Sequence, residues 1–205
     1  MDVILHPTVA RSGDYWPFTT NCKEILITSR LNLMDFSIAK QATYQQTCEQ
    51  LQELLGRETD LIANAANTAA FLYRTLPDVN WVGFYLAKEG ELVLGPFQGN
   101  PACARIPLGK GVCGTAAETQ ETVVVPDVEA FPGHIACDTA SRSEIVVPLL
   151  SWGRLLGVLD LDSASPDRFD EDDQEGLESI ASVFMASLAN EDLPDLRAAA
   201  AQAEK

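Results

Sequence analysis

Apolar positions along the chain change their period near residue 77. From about residue 42, Leu51, Leu54, Leu55, Ile62, Ala65, Ala66, Ala69, Leu72, Tyr73 and Leu76 recur at steps of three and four, the spacing of one helix face. Gly56-Arg57 splits this stretch into two helices, with Thr59 or a neighbour capping the second, and Pro77-Asp78 ends it. Strand composition follows. Residues 81–86 and 91–94 are β-rich, and the Lys88-Glu89-Gly90 link makes them a hairpin. Residues 95–111 are turn-rich and lead into a short helix over 111–118. Thr122 opens a strand closed by Pro126-Asp127, and 126–142 is a second long loop. Two apolar strands, 144–150 and 155–161, meet at a Trp152-Gly153 turn. A last helix starts near Asp170. Glu171, Asp172 and Asp173 sit in its first turn, where the helix dipole favours acids, and Leu177, Ile180, Ala181, Phe184 and Leu188 form its apolar stripe.

Short links between consecutive strands require antiparallel neighbours, so the pattern predicts an α+β fold: a central, mainly antiparallel sheet with helices packed on it. No repeat or linker interrupts it. The reading is one domain over 41–192 and a flexible tail over 193–205. An extension over 1–40, partly irregular and broken by Pro7, Gly13 and Pro17, precedes them.

Charge narrows the partners. Asp and Glu number 30 against 14 Lys and Arg, a net charge of −16, which argues against a nucleic-acid backbone or an anionic membrane. Twelve of those acids lie between 160 and 195, opposed only by Arg168, so the acidity is regional. No apolar run approaches the roughly 18–20 residues of a membrane helix. The start, Met1 to Pro7, has no basic region and does not read as a signal peptide. Five cysteines, an odd number, then point to a reducing cytoplasm.

Gly109-Lys110-Gly111-Val112-Cys113-Gly114 has the spelling G-x-G-x-x-G, but no strand immediately precedes it and the sheet is antiparallel, so a dinucleotide site is set aside. The glycines instead shape a tight approach to a short helix, which places Cys113 near a helix N-terminus and predicts a favoured thiolate. Cys103, Cys113 and Cys137 admit three readings: buried small hydrophobes, zinc ligands with His134, or a redox set in which one thiol becomes a sulfenic acid and a second traps it as a disulfide. Glu144 begins one apolar strand while Asp160 and Asp162 end its antiparallel neighbour. The three carboxyls therefore come together, with Asp160 and Asp162 on one face. Such a trio suits an ammonium group, and crowding that raises one pKa makes a proton donor. Trp81 and Tyr85 share a face of the first strand, as core or as the wall of a small apolar pocket.

Several stretches together resemble the free methionine-(R)-sulfoxide reductases, which are built on a GAF domain. They include Asn80-Trp81-Val82-Gly83-Phe84-Tyr85-Leu86, Ile106-Pro107-Leu108-Gly109-Lys110-Gly111-Val112-Cys113-Gly114 and Phe131-Pro132-Gly133-His134-Ile135-Ala136-Cys137-Asp138. Ser143-Glu144-Ile145-Val146-Val147-Pro148 and Gly157-Val158-Leu159-Asp160-Leu161-Asp162-Ser163 complete the match. The resemblance spans roughly residues 42–190. It implies a single GAF-like domain in which Cys137 attacks the sulfoxide sulfur, Cys103 resolves the sulfenic acid and Cys113 is an auxiliary thiol near the substrate. Glu144, Asp160 and Asp162 are similar to the family's acidic substrate cluster, and Trp81 to its pocket wall. Thioredoxin as reductant, a homodimer, and no cofactor or metal are further implications. A GAF-type sensor of a small ligand, without chemistry, is the alternative. Cys22 and Cys48 match no catalytic position.

Overall fold

The computed structural model describes residues 22–135 and 139–188, with backbone alone over 22–36. Cys137 therefore lies outside the described residues. The chain divides into two units, residues 1–36 and 37–205. Helix α1 (Cys22–Leu55) begins about twenty residues before the apolar periodicity announces it. No proline or glycine falls between residues 18 and 55, so nothing breaks the helix. Its early part carries no clean apolar stripe, which is why the pattern did not mark it.

α2 (Leu61–Thr75) is capped by Asp60, whose side chain accepts from Ala63 N–H at 2.8 Å. β1 (Trp81–Lys88) and β2 (Glu91–Gln98) form the expected hairpin through Glu89 and Gly90, both at positive φ. A short strand, β3 (Arg105–Pro107), lies within the stretch expected to be loop. It pairs with β2, Leu92 opposite Ile106. Three residues ending in proline are too few to show a period of two, so only the tertiary pairing reveals it. Next come α3 (Gly111–Thr119), β4 (Val123–Val125), a 3-10 turn at Val128–Ala130, β5 (Ser143–Ser151), β6 (Arg154–Ser163) and α4 (Glu171–Ser187).

The six strands form one sheet, in the order β3-β2-β1-β6-β5-β4 with every pair antiparallel. The α+β expectation is met. Each sheet face has its own core. On one face Val82, Phe84, Ile145, Val147, Leu149, Leu159 and Leu161 pack against α1, α2 and α4. On the other, Trp81, Tyr85, Leu92, Ile106, Val146 and Val158 pack against α3. Alternation along the strands sorts the residues. Val146 of β5, Val158 of β6 and Trp81 and Tyr85 of β1 look toward α3, and alternation from them puts Glu144, Asp160 and Asp162 on the same face.

α4 starts with a reciprocal cap: Asp173 N–H donates to Asp170 Oδ1 at 3.1 Å, and Asp170 N–H donates to Asp173 Oδ2 at 3.0 Å. Asp173 is fully buried and also receives Lys40, Arg168 and the Tyr44 hydroxyl, the last at 2.7 Å. This network ties the second half of α1 to the start of α4. Among the described residues, no helix is long and apolar enough to cross a membrane.

Candidate functional site

The α3 face carries a narrow cleft with about 380 Å³ of space, its open mouth included. Tyr85, Cys113, Glu144, Asp160 and Asp162 line it, together with Lys110, His134, Ile135 and Ser141. Register explains the convergence. Glu144 of β5 is paired with Asp162 of β6, Asp160 is paired with Gly83 of β1, and Trp81 with Asp162. The carboxyls thus rise from two neighbouring strands at the end of the hairpin remote from its turn.

The glycines before α3 serve packing. Gly109 N–H donates to Gly114 O at 2.8 Å, and a Cβ on Gly114 would collide with the Pro107 carbonyl. Gly111, at φ +62°, starts the helix directly beneath Ile135. That close approach carries Cys113, the third residue of α3, down onto the sheet. Its Sγ lies 3.8 Å from Glu144 Oε1. One donor atom each from Cys113, Glu144 and Asp160 lie within 4.8 Å of one another.

Burial rules the electrostatics here. Glu144 is 6% exposed, Asp160 5% and Cys113 3%. Loss of solvation raises the pKa of Glu144 well above its ordinary 4.5, and repulsion from Asp160 and Asp162 adds to this. Asp160 is raised for the same reasons, burial first and then Asp162. The Cys113 thiol is pushed up by burial and by the Asp160 and Glu144 carboxyls. The thiolate expected from its helix position is therefore corrected: desolvation beside two acids outweighs the first turn of a short helix. Tyr85 is raised likewise, and burial lowers His134. Both shifts disfavour the charged forms, so the 3.8 Å approach of His134 Nε2 to Glu144 Oε2 is weakened as an ion pair.

Trp81 does not line the cleft. It stands behind Tyr85, ring centroids 6.0 Å apart, and stacks on Phe97 at 5.4 Å, while its Nε1–H donates to Asn100 O at 3.0 Å. Gly83 permits this, because a Cβ there would strike the indole ring. Cys103 is half-buried against the same core, outside the lining, and is disulfide-bonded, while Cys48 and Cys113 are free thiols. Lys110, Ile135 and Ser141 were not legible in the sequence as site residues, and His134 was read there only as a zinc ligand. All four come from the approach to α3 or from the loop before β5, where no periodicity says which way a side chain points.

Residues 41–188 match the model of the GAF domain family. The chain is 55% identical over 152 residues to Protein YtsP of Bacillus subtilis (strain 168), covering 73% of this chain and 93% of that protein. It is 50% identical over 139 residues to the free methionine-R-sulfoxide reductase of Escherichia coli (strain K12), covering 68% of this chain and 84% of that one. The X-ray structure of free methionine-R-sulfoxide reductase from Neisseria meningitidis in complex with its substrate aligns with a TM-score of 0.70 at 51% identity, covering 72% of this chain and 89% of that one.

Proposed function

Since the chain belongs to the free methionine-R-sulfoxide reductases of the GAF-domain family, we propose that it reduces free L-methionine-(R)-sulfoxide to methionine with its own thiols. The observation that carries the reading is the convergence of one thiol and three carboxyls in a narrow cleft that Tyr85 also lines. A free amino acid brings an ammonium group. Its entry relieves the repulsion among Glu144, Asp160 and Asp162, so one of them ionises against it while another keeps a proton. A peptide-bound methionine has no such charge.

The Cys137 sulfur attacks the sulfoxide sulfur, and oxygen passes to the cysteine. Cys137 thiol becomes a sulfenic acid, oxidised by two electrons, as the sulfoxide becomes a thioether, reduced by two. Glu144 or Asp160, whose hold on a proton burial strengthens, protonates the oxygen as its bond to substrate sulfur weakens. The Cys103 thiol then condenses with the sulfenic acid, giving a disulfide and water. The dithiol of thioredoxin returns both cysteines to thiols. That Cys103 is disulfide-bonded while Cys48 and Cys113 are free supports a resolving role for Cys103. A transient catalytic disulfide suits a reducing cytoplasm. A homodimer is part of the proposal and is checked by light scattering.

The test is NADPH oxidation coupled through thioredoxin reductase and thioredoxin, with separate R and S diastereomers. Turnover of the free R form alone is expected, and no turnover of it by reduced protein would sink the proposal. Cys137→Ser should abolish turnover. Cys103→Ser should complete one stoichiometric reduction and then stall, so sustained turnover would remove its resolving role.

A further inference from the structure

We propose that Cys113, Glu144 and Asp160, with His134 beside them, form a binding site for a thiophilic divalent cation, zinc above all, which closes the cleft reversibly. The three donor atoms lie within 4.8 Å of one another. The separation of Cys113 Sγ and Glu144 Oε1, 3.8 Å, is close to the edge of a tetrahedron with Zn–S of about 2.3 Å and Zn–O of about 2.0 Å. His134 Nε2, 3.8 Å from the other Glu144 oxygen, lies outside this trio of donors, and a water completes the tetrahedron.

A separate observation points to a ligand in the same place. Asp160 is 5% exposed, lines the cleft and has the Cys113 thiol and the Glu144 carboxyl as hydrogen-bonding neighbours, yet its Oδ1 is left without a partner of good geometry among the described residues. A buried oxygen of this kind is an exception in folded proteins. A cation coordinated by Oδ1 satisfies it, and two positive charges offset the crowding of Glu144 and Asp160. The donor set selects the metal. A thiolate among carboxylate oxygens suits zinc, whereas calcium and magnesium require six or more oxygens. The ligands rise from β5, β6 and α3, elements of the packed domain, so little rearrangement is needed. The metal site follows from this geometry alone, while its competition with substrate rests on the proposed function.

Reduced full-length protein is titrated with Co²⁺ as a spectroscopic probe, and with Zn²⁺ by calorimetry in a nitrilotriacetate buffer that fixes free zinc. One equivalent should bind, with tetrahedral visible bands and a thiolate-to-cobalt charge-transfer band. Cys113→Ser should remove that band, and Asp160→Asn should weaken zinc by at least about tenfold. Cys48→Ser should change neither. Absence of the band in folded protein, or its survival in Cys113→Ser with loss in Cys48→Ser or Cys103→Ser, overturns the proposal. Should Cys113→Ser fail to fold, differential alkylation of the unsubstituted protein decides. Zinc must then shield Cys113 rather than Cys48. Free methionine at fixed free zinc is the final arm. Zinc binding as expected but untouched by methionine would leave the metal site standing and remove the ammonium from the cleft.

Discussion

Glu144 and Asp160 hold their protons more tightly than free carboxyls do, because water has been taken from them while their neighbours are also acids. Raised acid pKa values mean that the folded chain binds more protons than the unfolded one above their ordinary values, 4.5 and 3.8. Their contribution to stability is therefore fully present at lower pH and is lost as pH rises through the folded values. Glu144→Gln should flatten this dependence and melt at a higher temperature than the unsubstituted protein at pH 8, as thermal melts across pH will show. The same variant should lose about 100-fold or more in turnover, the usual worth of a positioned proton donor. Asp173 is a carboxyl of the opposite kind, equally buried but satisfied by Lys40, Arg168, Tyr44 and a backbone N–H. Asp173→Ala leaves two cations and a phenol without their partner and should cost about 3–5 kcal/mol in denaturant unfolding.

At the scale of elements, α1 and α4 meet through a glycine. A Cβ on Gly176 would run into the Tyr44 ring. Gly176→Ala gains helix propensity of about 1 kcal/mol, yet overpacking of about 1–3 kcal/mol opposes it. Net destabilisation by denaturant titration is the expected outcome. The strands from Trp81, Glu91, Ser143 and Arg154 were legible because β-branched and aromatic runs bounded by Gly and Pro are a local signal. The acidic trio was legible too, since antiparallel pairing across a tight turn determines which strand ends meet. β3 was not, because three residues acquire strand geometry only from their partner. The state of the Cys113 thiol was missed for a related reason. Its helix position is local, whereas its burial depends on Ile135 and on two strands 30 to 50 residues onward.

For the whole unit from residue 37, the sheet divides labour between its faces. The α1, α2 and α4 face is apolar and supplies stability, with Phe84 and Phe184 in contact at 4.7 Å between ring centroids. The α3 face carries nearly all of the polar chemistry. Phe184→Ala should cost about 3–5 kcal/mol while leaving turnover per folded molecule near that of the unsubstituted protein, measured well below its melting temperature.

The pairing of Glu144 with Asp162 also limits how this chain can vary over generations. Inserting one residue into β6 between Leu155 and Asp160 would turn both aspartates toward the apolar core, because a strand reverses its side chains with every step. Insertions in the Trp152-Gly153 turn are tolerable by comparison: the register already shifts between Leu149 and Leu150, so a slip near the turn can be absorbed before it reaches the acids. The hairpin works as a ruler. Its turn may drift in length among descendants, but the count from the irregularity to the carboxyls may not.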